Sequence, residues 1–329
     1  MRAYRLTTGG GIDGLRVIDA ADLQPGPGEV LIRVRATSLN YRDLGIVRAS
    51  RQEVVPLSDG AGEVLAVGAG VTAFVPGELV AGCFFRSWPD GDVRAEYTAE
   101  ALGGAIDGML AEQVVLPASA VVHAPAHMTV EEAAALPCAA LTAWNAMFEE
   151  ARLRPGQTVL LLGTGGVSIA GLQLARLAGV RSIITSSSNA KLDRARALGA
   201  DETINYIEPP EWEQEVLRLT GGAGVDLVLE VGGVTTYAQS VASTRLGGSV
   251  VMIGGVGGRP SDQVPMLTRN VHVSRVFVGS RVMFERMNAA LALRQVHPVV
   301  DRVFAFEQAP EAYRYLESQA HVGKVVVRV

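Results

Sequence analysis

The chain has 329 residues, of which 48% are hydrophobic and 19% charged, with a formal net charge of −5. That length accommodates two domains with ample core, and the composition excludes a disordered chain. The acidic balance and the lack of any basic run argue against a nucleic-acid or anionic-membrane partner.

The opening MRAYRLTTGGG lacks the apolar core of a signal peptide. No apolar stretch reaches the ~20 residues that span a bilayer, so a cytoplasmic location is expected. Cys83 and Cys138 are the only cysteines, too few for a disulfide framework or a cysteine-rich zinc site.

In chain order, the first part is β-rich. Glu29–Arg35 has strand character, and 62–70 and 79–84 read as further short strands. Glycine–proline turns at 25–28 and 75–77 punctuate them, which suggests an irregular barrel. From about Met128 the texture changes. Thr129 and Glu132 form a capping box for a helix that should end at Pro137, and a second helix should carry Leu141 to Phe148. Strands are then expected around Val159, Ile183 and Thr203, and at 226–231, 249–253 and 271–278. Strands alternating with helices indicate a parallel, doubly wound sheet. After Arg281 the pattern predicts two helices and a closing strand at 324–329, which should rejoin the first domain. His123 and His127, with Pro125 between them, read as loop residues.

The most informative stretch runs from Thr158 to Asn205. An apolar strand enters a turn containing Gly163, Thr164, Gly165, Gly166 and Val167, and a helical pattern and a second apolar strand follow. Gly163 makes the tight turn, Gly165 lets the backbone approach a pyrophosphate, and the helix's opening amides bind its charge. Ser168 stands at the third position of the glycine fingerprint. A carboxylate that would select NAD is missing where the second strand ends, since Thr185–Asn189 holds no acid. Hydroxyls of Ser186 and Ser187 and the cation of Lys191, one of two lysines in the chain, suit a 2′-phosphate instead. The expected cofactor is NADPH.

These pieces together resemble the medium-chain dehydrogenase/reductase superfamily, specifically its zinc-independent, quinone-reductase-like and enoyl-reductase-like members. The matching motifs are SLNYRD (38–43), DGAGEV (59–64), VPGELV (75–80) and LPCAALTAW (136–144). The glycine turn, ALGAD (197–201), INY (204–206) and VGSR (278–281) complete the set. The resemblance implies an α/β protein with a GroES-like catalytic domain in two parts, 1–124 and 280–329. A Rossmann NADP(H)-binding domain, 125–279, is inserted between them, with the active site in the cleft. It also implies that Ser186, Lys191 and Tyr206 contact the 2′-phosphate.

Zinc-dependent relatives carry a cysteine where Asn40 stands and a His-Glu pair where Ser58 and Asp59 stand, so no metal is expected. Cys138 alone falls on a former ligand position and reads as a small residue in an apolar helix turn. Without a Lewis acid, charge developing on a substrate oxygen needs hydrogen-bond donors, for which Asn40 and Tyr41 are the candidates. Asp43 should hold Arg42 or the loop backbone. Gly254, Val256, Val278, Ser280 and Arg281 should face the nicotinamide end of the cofactor. Stretches 48–55, 84–88 and 277–284 should wall the substrate pocket.

The expected reaction is reduction of a conjugated C=C, with carbonyl reduction as the alternative. Another is a non-catalytic NADPH-binding protein, and a third is a hydrolase using Ser168 in a G-x-S-x-G-like elbow. A homodimer through the edge strand 271–278 is also expected, because an unpaired apolar edge seeks a partner.

Overall fold

The computed structural model describes residues 1–49, 52–208, 210–256 and 270–329. It divides into two compact units, residues 1–141 with 278–329 and residues 142–277. These limits differ from 124/125 and 279/280. The helix Val130–Ala134 packs on strands of the first unit, which keeps the segment 125–141 there.

In chain order, β1 (Arg2–Leu6) and β2 (Leu15–Asp19) pair with each other. They are followed by β3 (Glu29–Leu39), β4 (Asp59–Val67), β5 (Leu79–Gly82), β6 (Gln113–Pro117) and β7 (Val121–His123). The second unit holds β8 (Thr158–Leu161), β9 (Arg181–Ser186), β10 (Glu202–Asn205), β11 (Val225–Glu230), β12 (Thr244–Met252) and β13 (His272–Arg275). β14 (Val300–Ala305) and β15 (Lys324–Arg328) return to the first unit.

The long strand β3 organises the first unit. It pairs antiparallel with β4, β6 and β15 in a sheet ordered β14-β15-β3-β4-β5-β7. The closing strand therefore rejoins the first unit as its sequence suggests, setting Val325 opposite Leu39. β14 was not anticipated, because Asp301 and Arg302 interrupt its apolar pattern. Two buried clusters fill this unit, one around Tyr4, Leu39, Leu44 and Tyr313, the other around Ile32, Val64, Phe74 and Met109.

The second unit has a six-stranded parallel sheet in the order β10-β9-β8-β11-β12-β13. Its central strands are buried along nearly their whole length, as apolar runs covered on both faces must be. β13 is an edge strand, four residues long instead of the expected eight.

Thr129 caps its helix as read, its side chain accepting from Glu132 N while Glu132 returns a bond to Thr129 N. The expected break at Pro137 does not occur. Residues 136–140 and 145–150 are π-helical turns flanking Leu141–Trp144, so the chain remains helical through the proline. Pro137 sits at the start of the first π turn, where a missing N–H costs least.

Candidate active site

In the second unit the glycine turn connects β8 to the helix Gly166–Ala178. Gly163 has φ +73°, in the left-handed region that a side chain would strain, and its N–H bonds Thr185 Oγ1 at 3.2 Å. Thr164 is buried, and Gly165 is the residue from which the helix starts. A side-chain atom at Gly163 or Gly165 would meet nothing within 4 Å, so the backbone there is open to a ligand's approach. Gly166 and Val167 form the first turn, whose amides point out of a thirteen-residue helix. This geometry fits the pyrophosphate of a dinucleotide.

Ser168 is buried and donates to Leu162 O at 2.6 Å, tying the first turn back to the strand. Its hydroxyl is spent there, which removes the basis for a nucleophilic elbow. Close packing of helix on sheet falls to Gly171, which sequence reasoning missed. A β-carbon at Gly171 would lie 2.9 Å from Leu161 Cδ2 and 3.1 Å from Leu229 Cδ1.

The carboxyl ends of β9 and β10 bring Ser186, Ser187, Lys191 and Tyr206 into one neighbourhood. Ser186 is paired in register with Asn205, and Tyr206 N donates to Ser186 O at 3.1 Å. Ser186 is buried and its hydroxyl accepts from Ser188 N, whereas Ser187 is exposed. Lys191 lies in the first turn of the next helix, Asn189–Ala197, and the Tyr206 side chain is exposed. Gly254 and Val256 follow β12, with Val256 N bonded to Val231 O at 3.2 Å beside the end of β11. The adjoining turn is fastened by Glu230, another residue the sequence did not single out. Its buried carboxylate accepts from Gly232 N, Gly233 N, Thr236 Oγ1 and Ser240 Oγ.

In the first unit a cluster of buried polar groups surrounds Asn40. Asn40 lies between the end of β3 and the helix Tyr41–Ala49, and its backbone N–H donates to Asp43 Oδ2 at 2.7 Å. Asp43 thus holds the backbone, with Arg42 Nη1 3.7 Å from its other oxygen. Burial pushes the Asp43 carboxyl up to about 6, opposed by Arg42 and by the Asn40 N–H.

Asn40 is 8% exposed, and its Oδ1 accepts from Lys324 Nζ at 2.6 Å, whereas its Nδ2 is buried without a partner. A buried unsatisfied donor costs about 1–3 kcal/mol, so this one calls for an acceptor. Tyr41 opens the helix and is 41% exposed, a less constrained position than that of Asn40.

Lys324 Nζ also donates to Leu39 O at 2.7 Å and lies 3.4 Å from Asp59 Oδ2. The buried Asp59 carboxylate accepts further bonds from Ser58 Oγ at 2.7 Å, Cys138 N at 3.2 Å and Ser38 Oγ at 3.4 Å. A lysine ammonium therefore sits beside Asn40 and Asp59, with Ser58 and Cys138 N on the same carboxylate. Among the described residues, no group of three or more His, Cys, Asp or Glu side chains is arranged to hold a metal ion. Burial, reinforced by the Asp59 charge, raises the Cys138 thiol well above its ordinary range, which disfavours the reactive thiolate.

Val278 has φ +25° and is buried. Ser280 accepts from Met283 N to cap the helix Arg281–Arg294. The Arg281 guanidinium is taken by Val121 O at 3.1 Å and Glu285 at 2.8 Å. Two of the expected wall stretches adjoin, as Arg281 N bonds Trp88 O at 3.0 Å. In the third, Ser50 and Arg51 lie outside the described residues. His123 ends β7 rather than lying in a loop, with Nε2 3.2 Å from Glu78. His127 is in a turn and bonds Val296 O. No helix among the described residues is long and apolar enough to cross a membrane.

Two family models match in order, an alcohol dehydrogenase GroES-like domain over residues 26–126 and a zinc-binding dehydrogenase over 166–294. The chain is 46% identical to a zinc-type alcohol dehydrogenase-like protein of Schizosaccharomyces pombe, covering 92% of this chain and 91% of that one. It is 29% identical to the acryloyl-coenzyme A reductase of Metallosphaera sedula, covering 95% and 96%.

Among solved structures, it resembles an NAD-dependent alcohol dehydrogenase at 34% identity and TM-score 0.89. A mycobacterial protein complexed with NADPH matches at 29% identity and TM-score 0.84, and both structures are covered in full. With a relative this similar along nearly all of both chains and the same two modules in the same order, the protein belongs to the medium-chain dehydrogenase/reductase superfamily of oxidoreductases.

Proposed function

We propose that the protein is an NADPH-dependent, zinc-independent reductase that adds hydride to a conjugated C=C of an enone, enoyl thioester or quinone. The observation that carries this reading is the unpartnered Asn40 Nδ2, a buried donor beside an ammonium where zinc relatives place a metal ligand. When bound, the cofactor supplies the hydride. In a conjugated acceptor the hydride goes to the β-carbon while the π electrons shift toward oxygen, giving an enolate that later takes a proton at the α-carbon. Asn40 Nδ2 donates to the oxygen on which this charge gathers, and Tyr41 is the proton donor on the same segment. Spread charge suits neutral donors better than the localised alkoxide of carbonyl reduction.

Cofactor preference rests on this chain's own residues, because one similar structure is named for NAD and another holds NADPH. Ser186, Ser187, Lys191 and Tyr206 gather at the ends of β9 and β10, where no acid lies on the strand end or in Ser187–Asn189. The similarity to an acryloyl-coenzyme A reductase supports alkene reduction. The zinc-free assignment rests on Asn40 and Ser58 at the matched positions, and metal analysis giving about one zinc per chain with activity lost to a chelator would overturn it. The place of β13 at the end of this sheet, among the described residues, supports a homodimer through it, which light scattering would test.

The deciding experiment incubates the protein with NADPH and an enone and separates the saturated ketone from the allylic alcohol. The saturated ketone is expected. Allylic alcohol as main product, or efficient turnover of simple aldehydes, would establish carbonyl reduction instead, and binding without turnover would establish a non-catalytic protein. Asn40→Ala should lower kcat by about 100-fold, the usual cost of losing an oxyanion donor, with little effect on NADPH affinity. Tyr41→Phe should also lower kcat more than affinity.

A further inference from the structure

We infer that Lys324 is a positioning residue that fixes which face of the Asn40 carboxamide is presented for reaction. This inference rests on the donor role proposed for Asn40. An ammonium has three donors and no acceptor, and Lys324 Nζ has three oxygens around it: Leu39 O, Asn40 Oδ1 and Asp59 Oδ2. Rotating the carboxamide by half a turn would bring its N–H2 against the ammonium, donor facing donor. The oxygen must therefore face Lys324, and Nδ2 is turned away, where it is buried and lacks a partner.

The amide is held with its donors aimed before any substrate arrives, which is the condition under which a hydrogen bond accelerates a reaction. The adjacent positive charge also draws electron density toward Oδ1 and makes the N–H2 on the other side of the amide a stronger donor. Asp59, anchored by Ser58 Oγ and Cys138 N, balances the ammonium without touching the amide.

A double-mutant cycle of Lys324→Met and Asn40→Ala on the full chain, read by kcat with an enone and NADPH, tests the inference. Lys324→Met should lower kcat by about tenfold or more in the native background, leave KM for NADPH in place, and have no further effect on kcat once Asn40 is alanine. An equal loss in both backgrounds, or no loss in the native one, overturns the positioning role while leaving the Asn40 reading intact. An Asn40→Ala variant with native kcat overturns the donor reading itself. Because Lys324→Met removes a buried charge partner and so threatens folding, a neutron structure of the unaltered protein gives an independent answer. Deuterons on the amide nitrogen directed away from Lys324 are expected, and the reverse orientation overturns the inference.

Discussion

The two units assemble their polar equipment in opposite ways. In the second unit, the turn from Gly163 to Ser168 is one unbroken piece of chain, and most of its polar groups are backbone amides at a helix start. In the first, the groups around Asn40 come from Leu39, Ser58, Asp59, Cys138 and Lys324, brought together by antiparallel pairing of β3 with β4 and β15. Backbone amides tolerate side-chain change and are vulnerable to added bulk. A buried network of side chains depends on every partner being present.

The largest expected effect follows from that dependence. Lys324→Met leaves the buried Asp59 carboxylate without its counter-charge, and breaking a buried pair from one side costs about 3–5 kcal/mol. Denaturant unfolding should show that loss, and a loss under 1 kcal/mol would mean that water or neighbouring hydroxyls replace the ammonium. In the other unit, Lys191→Ala should remove a charge-assisted contact worth roughly 1.5–3 kcal/mol. NADPH affinity would then fall by about 10- to 100-fold with NADH little changed, as calorimetric titration would show. Equal losses for both cofactors would place the effect on the fold.

Gly171→Val tests whether the nucleotide unit is as sensitive to bulk as its geometry implies. The added carbons meet Leu161 and Leu229, and overpacking of this kind costs about 1–3 kcal/mol, readable as a lower melting temperature.

The remaining test concerns the pH dependence carried by Asp43. Its folded carboxyl titrates near 6, above the ordinary 3.8, so the folded state binds the proton more readily and gains stability at low pH. That gain is complete below about pH 4 and lost as pH rises through about 6. Asp43→Asn should remove this dependence, so the variant gains on the native protein between about pH 4 and pH 7 in denaturant midpoints. Parallel profiles for the two proteins would show that Asp43 ionises freely.

The same contrast explains what was legible in the sequence. A strand, a three-glycine turn and a helical repeat lie side by side in the chain, so the nucleotide unit and its sheet could be read directly. The lack of an acid at the end of β9 was equally visible. Asn40 was found through the resemblance, but its orientation was hidden, because Lys324 lies 284 residues away and meets it only through strand pairing. The clue was faint: one of the chain's two lysines opens an apolar strand, KVVVR, where an ordinary surface charge would be out of place. Gly171 was missed because the fingerprint directs attention to position 168. The helical continuity through Pro137 was missed because π turns, which have no sequence signature of their own, absorb the proline.

The placement of β15 also sets an order of events on the ribosome. The second unit is a single stretch, 142–277, and it emerges complete while β3 and β4 still await their last partner. Domains fold as units during synthesis, so a nascent chain can form the glycine turn and its sheet first. The first unit closes only when residues 324–328 have been made and released, and until then Asp59 and Asn40 have no ammonium beside them. On the proposed reading, cofactor capture by the growing chain precedes completion of the donor site, and a chain stalled before Lys324 should bind a dinucleotide without the Asn40 amide held in place.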